Sequence, residues 1–294
     1  MRSFLLFFLT FITVVTAGVI PRAEDAPDLT PNRSRMLMYF NRNSAMSFEE
    51  FSDYWRGPHA QLFLNTTVAK QNLLRYEQMH VNQEWKQKLR EEGLDVPEFD
   101  GIMLAEAASM DKIFEAFNNE EYNEIVIPDS LKFSNFSTAL ISGFKISTVF
   151  DRHPREIPDE QVGVIRKDFQ TLVGDFTHKE GMEYGDFVKY WSEVNTPRML
   201  RAVRETGADR VFSKYELNTL DPVKPTVDNP FTSFDQQWDA IAMMSGPTVG
   251  EVVDQLKNRR ILDFVRKDAP NFADVQKGIE FVPCDVVSFK IPEA

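Results

Sequence analysis

Met46-Ser47-Phe48-Glu49-Glu50-Phe51-Ser52-Asp53-Tyr54-Trp55 returns 136 residues later as Met182-Glu183-Tyr184-Gly185-Asp186-Phe187-Val188-Lys189-Tyr190-Trp191. The same offset aligns RYEQMHVN at 75–82 with VFSKYELN at 211–218. It slips further on, where Phe99-Asp100-Gly101-Ile102 meets Trp238-Asp239-Ala240-Ile241 and DSLKF at 129–133 meets DAPNF at 268–272. Four matches in one order indicate a duplicated domain, and the period is far too long for a solenoid. The polar stretch 151–161, with two prolines, reads as the linker between a unit at 35–150 and a second at 162–294.

Both units carry the same pattern. A short apolar strand (36–40; 172–176) precedes a helix. In the first unit Ser47 and Glu50 have capping-box spacing, and Phe48, Phe51 and Trp55 form an apolar stripe. Strands follow at 74–82 or 210–218 and at 101–106 or 240–244, then a helix at 110–117 or 249–258. A last strand spans 139–150 or 281–291. The order βαββαβ predicts an α+β fold of two ferredoxin-like units. Each sheet must bury its open face, and packing the two sheets together within one chain does so. The charged insertion at 83–99 reads as a short surface helix and that at 219–233 as a loop, the two forming a rim or lid.

The chain has 294 residues, 43% of them hydrophobic, which suffices for a large buried core. Its net charge of −12 argues against a nucleic-acid partner. The single cysteine, Cys284, forbids an internal disulfide and reads as a buried strand thiol. Four histidines argue against a multi-ligand metal site. No phosphate-cradling glycine loop, HExxH, CxxC or GxSxG motif occurs.

Residues 1–17 (MRSFLLFFLTFITVVTA) have the charge, apolar run and small residues of a secretory signal peptide, and 18–34 read as a flexible leader. The expectation is a secreted or lumenal protein with no membrane span after cleavage. Sequons at Asn32, Asn65 and Asn135 are compatible with glycosylation.

Phe51-x-x-Tyr54-Trp55-x-x-x-His59, Arg75-Tyr76-x-Gln78-x-His80, Phe99-Asp100-Gly101-Ile102 and Pro128-Asp129-x-x-x-Phe133 together resemble the EthD family, within the dimeric α+β barrel superfamily. The resemblance implies two tandem EthD-like copies paired as an intramolecular pseudo-dimer, so that one chain is a monomeric barrel. Fungal members of the family resemble tailoring enzymes of aromatic polyketide pathways. This implies a lyase or cyclase without cofactor, acting by decarboxylation, dehydration or cyclisation on a small hydrophobic or aromatic metabolite.

His59 lies on the apolar stripe four residues after Trp55, although Gly57-Pro58 before it predicts a kink. A partly buried imidazole stays neutral and can accept a proton; capping a helix end is the other reading. Alternation places Tyr76, Gln78 and His80 on one strand face, either as the polar lining of a cavity or exposed to solvent. His59, His80, Tyr76 and Gln78 are the catalytic candidates, and His153 and His178 read as surface residues. In the second copy the constant offset puts Asn195 at His59, Phe212 at Tyr76, Lys214 at Gln78 and Glu216 at His80. Asparagine is no general base, so that copy reads as degenerate, a packing partner or a distinct pocket. The alternative to an enzyme is a protein that holds a hydrophobic metabolite without turning it over.

Overall fold

The Ser47 hydroxyl accepts from Glu50 N–H while the Glu50 carboxylate accepts from Ser47 N–H, so the first helix starts where its sequence places it. The computed structural model describes residues 29, 31, 33–152, 157–221 and 238–292. The signal segment, most of the leader, Asn32, His153 and most of the second insertion lie outside them. Among the described residues no helix is long and apolar enough to cross a membrane.

The first half runs β1 (Ser34–Arg42), α1 (Phe48–Tyr54), α2 (Ala60–Leu64), α3 (Thr67–Asn72), β2 (Arg75–Val81), α4 (Gln83–Glu91), β3 (Gly101–Ala107), α5 (Met110–Phe117), α6 (Ile127–Phe133) and β4 (Ser134–Asp151). The second runs β5 (Ile165–Phe176), α7 (Tyr184–Lys189), α8 (Thr196–Thr206), β6 (Lys214–Leu220), β7 (Ala240–Gly246), α9 (Val249–Leu256), α10 (Arg259–Asp268) and β8 (Glu280–Phe289). All eight strands close into one antiparallel barrel in the order β1-β3-β2-β8-β5-β7-β6-β4. Within it the first four strands are ordered 4-1-3-2 and the last four 8-5-7-6, the same arrangement twice. β2 pairs with β8 and β4 with β6 across the two junctions.

Strand alternation separates three cores. Leu37, Tyr39, Met79, Ile102, Val173 and Cys284 point into the barrel. Met36, Met38, Phe40, Tyr76 and Met103 point outward against α1, α2, α5 and α6. The second half repeats this with Leu172, Phe176, Tyr215 and Met244 outward. Closure leaves every strand paired on both edges.

Two details differ from the sequence reading. Arg75, Tyr76 and Glu77 lie opposite Glu106, Ala105 and Leu104, whereas Lys214, Tyr215 and Glu216 lie opposite Ser245, Met244 and Met243. The ladder therefore matches Tyr76 to Tyr215, Gln78 to Leu217 and His80 to Thr219, three residues away from the constant-offset pairing. The extra residues follow α8, in the stretch between Gly207, which ends that helix in the left-handed conformation (φ 74°), and β6. The charged insertion also does more than cover the surface. Trp85 and Leu89 on α4 reach across to the core of the second half, and Lys257 of that half pairs with Glu92 at 2.6 Å.

Candidate functional site

Pro58 does not break its helix. The chain widens into a π turn at Trp55–His59, which absorbs the missing proline N–H and continues into α2. The Trp55 carbonyl accepts from Gln78 Nε2 at 2.9 Å as well as from Ala60 N–H. The turn points His59 at α6, where its Nδ1–H donates to Asp129 Oδ2 at 2.8 Å. Asp129 Oδ1 accepts from the Tyr54 hydroxyl at 2.6 Å and from Lys132 at 2.8 Å.

Burial holds the His59 imidazole below its ordinary pKa, against the opposing pull of the Asp129 carboxylate. The His59 hydrogen bond, with those from Lys132 and Tyr54, keeps Asp129 well below the usual carboxylate range. Neutral His59 thus has its proton on Nδ1 and its lone pair on Nε2. The ring packs 4.6 Å from Phe133 and lines a cavity of about 20 Å³ with Phe63, Tyr76, Phe117, Tyr122 and Ser130. That space admits one water.

Of the other sequence candidates, Tyr76 alone lines this cavity. Burial pushes its phenol up to about 12, and its oxygen accepts from Gln78 Nε2 at 3.1 Å. Gln78 and His80 sit beneath α1, away from the cavity and from solvent. His80 Nε2–H donates to Gln78 Oε1 at 3.2 Å, and Nδ1 accepts from the Ser52 hydroxyl at 2.9 Å. Its ring lies 4.5 Å from Trp55. Burial, followed by the Arg56 charge, pushes its pKa down to about 3. Both nitrogens are engaged, and the residue holds α1 to the sheet.

The second half repeats the frame without the histidine. Asn195 Nδ2 donates to Asp268 Oδ2 at 2.8 Å, while Asp268 Oδ1 accepts from Tyr190 at 3.1 Å and Arg198 at 3.0 Å. A π turn recurs at Tyr190–Asn195, here just before the proline, Pro197, and Thr196 supplies the hydroxyl that satisfies the Trp191 carbonyl. Lys214 and Glu216 turn into the barrel, where they pair at 3.0 Å. His178 is half-buried and pairs with Asp239 at 2.6 Å, as Arg42 pairs with Asp100 in the first half at 2.7 Å.

Asp129 received no role from sequence, although both DSLKF and DAPNF begin with this aspartate. The repeated acid was the available signal; its partner lies 70 residues away. Asn65 and Asn135 are exposed. Among the described residues no group of His, Cys, Asp and Glu is placed to hold a metal ion.

No curated protein matches the sequence. Solved structures resemble the fold at low identity. A candidate monooxygenase from Fusobacterium nucleatum has a TM-score of 0.53 at 6% identity, covering 90% of this chain and 97% of its own. An anthrone oxidase-like protein has 0.51 at 9%, covering 93% and 98%. A candidate monooxygenase from Lactobacillus acidophilus has 0.50 at 7%, covering 90% and 98%. These likenesses establish the shared barrel architecture. A family profile described as EthD domain matches residues 43–137. The segment that carries His59, Tyr76, Gln78, His80 and Asp129 is therefore an EthD domain.

Proposed function

We propose that this chain is an internal pseudo-dimer with one working site, in which His59 removes a proton from an activated carbon of an aromatic or polyketide-like metabolite. The observation that carries the reading is the His59–Asp129 pair beside the cavity. The second half keeps the aspartate and tyrosine but has Asn195 in place of the base. The frame is thus common to both halves and the base is confined to one.

In the proposed step the carbon-bound proton moves to Nε2 and its electron pair passes into the substrate's conjugated system as an enolate. The imidazolium so formed stays 2.8 Å from the Asp129 carboxylate, which stabilises it. Because Tyr76 Oη accepts from Gln78, its own proton is left to donate to the substrate oxygen where charge develops. Return of the proton to a departing hydroxide completes a dehydration, and its return to the alkoxide formed on ring closure completes a cyclisation. In a decarboxylation His59 instead takes the carboxyl proton and delivers it to the carbon that keeps the electron pair of the broken bond to carbon dioxide. The reading calls on no cofactor. Ligand pockets span roughly 300–1,000 Å³, so substrate entry requires the wall of Phe117, Tyr122 and Phe133 to move outward. That wall includes a further π turn, Tyr122–Val126, which is the point of give. Secretion, with glycosylation at Asn32, Asn65 and Asn135, is part of the same proposal.

The test follows hydrogen–deuterium exchange at the acidic carbon of anthrone by NMR. Wild-type protein is expected to accelerate exchange, and His59→Asn to abolish the acceleration. Equal exchange in both proteins rejects the base. Saturable binding of anthrone with no exchange selects the holding role instead.

A further inference from the structure

The polar interior of the barrel has two unlike ends. Where β1 begins, Arg33, Arg35, Arg75 and Lys214 meet Glu77, Glu106 and Glu216, each cation in contact with a carboxylate. At the opposite end Asp175 on β5 and Glu280 on β8 are register partners, directly across from one another. Like charges so placed repel. Among the described residues neither has a cationic partner: Asp175 Oδ1 accepts from the Tyr39 hydroxyl at 2.8 Å, and Glu280 from the Trp238 indole at 2.9 Å.

Asp175 is fully buried, and its Oδ2 has no hydrogen-bond partner. The Thr177 hydroxyl, two residues along, is buried and unpartnered as well. An unmatched carboxyl oxygen in such a place is costly unless something binds it. The surroundings are aromatic: the Tyr39 ring lies 5.4 Å from Phe99 and 5.0 Å from Trp238. Half-buried Glu280 is bridged through its backbone to exposed Asp95, which sets a further carboxyl group next to it at the surface.

We propose that Asp175 and Glu280, with the rings of Tyr39, Phe99 and Trp238, form a binding site for a small organic ammonium ion, separate from the cavity beside His59. Carboxylates supply the counter-charge, and aromatic faces attract a cation that a hydrated metal would not match. No described group of ligating side chains suits a metal ion. Burial raises the pKa of both carboxyl groups, and each is raised further by its acidic neighbours, Asp175 by Glu280 and Glu280 by Asp95. The unliganded pair therefore tends to retain a proton that an ammonium ion would displace.

The experiment is calorimetric titration of the full chain with tetramethylammonium chloride and with benzylammonium chloride, against sodium chloride at matched ionic strength. Saturable binding of one of the two ammonium ions is expected, weakened at least about tenfold in Glu280→Gln and in Asp175→Asn. Glu280→Gln, at the half-buried position, keeps the test valid where Asp175→Asn fails to fold. His59→Asn is expected to leave the affinity unchanged, which separates this site from the His59 reading. Heats equal to those of sodium chloride, or undiminished affinity in Glu280→Gln, overturn the proposal and leave the carboxyl pair as a shared-proton contact only.

Discussion

His59 Nδ1 and Asp129 Oδ2 lie 2.8 Å apart, joining the π turn after α1 to α6 across 70 residues of sequence. The carboxylate fixes which nitrogen holds the proton and which faces the cavity. Asp129 also draws the His59 pKa upward against the effect of burial. Asp129→Asn is expected to slow proton exchange less than His59→Asn, which removes roughly 10²- to 10⁴-fold. Without the carboxylate the imidazole gains protons only at lower pH, so the acid limb of the pH–rate profile moves down. A profile of unchanged position in Asp129→Asn shows that the carboxylate does not act on the imidazole.

His80 makes stability depend on pH. Its folded pKa of about 3 lies below the ordinary 6.5, so the unfolded chain binds the extra proton between those values. Its contribution is complete above pH 6.5 and is lost as pH falls toward about 3. The slope from this group approaches about 1.4 kcal/mol per pH unit within that window. Urea titrations at several pH values are expected to show a shallower acid decline in His80→Asn. Parallel declines in the two proteins count against this role.

Arg35 ties the halves together inside the barrel. Its guanidinium contacts Glu106 of the first half, and it reaches Glu216 at 2.8 Å and Asn218 at 2.7 Å in the second. Arg35→Met leaves two carboxylates buried without their main counter-charge and is expected to cost about 3–5 kcal/mol. Adding Glu216→Gln removes one of the stranded charges and is expected to recover part of that loss. Equilibrium denaturation of the single and double variants measures the coupling, and strict additivity argues against the contact.

Gly250 marks where α4 docks on the second half. A Cβ there would stand 2.5 Å from Trp85 Cζ2. Glycine to alanine inside a free helix stabilises by about 1 kcal/mol, whereas overpacking costs about 1–3 kcal/mol. Gly250→Ala is therefore expected to destabilise, and Trp85→Leu in the same chain to restore the helix gain. A higher melting temperature for Gly250→Ala alone means that α4 does not pack there.

The sequence by itself determined the eight strands in their order along the chain, the Ser47 cap, the buried thiol of Cys284 and the two-fold repetition, because helix and strand periods and capping chemistry are local; α6 and α10 were not part of that reading. It also named His59 and Tyr76, which share a cavity wall, through short motifs. Tertiary structure decided the rest. Barrel closure turned Gln78 and His80 under a helix, since a strand face is assigned by what covers it and not by alternation alone. Ladder pairing made Tyr76 the counterpart of Tyr215, because hydrogen-bond register fixes equivalence between strands once the connections that lead into them differ in length. The partners of His59 and of Arg35 were hidden for the same reason: contacts made across 70 and 181 residues depend on where the chain returns.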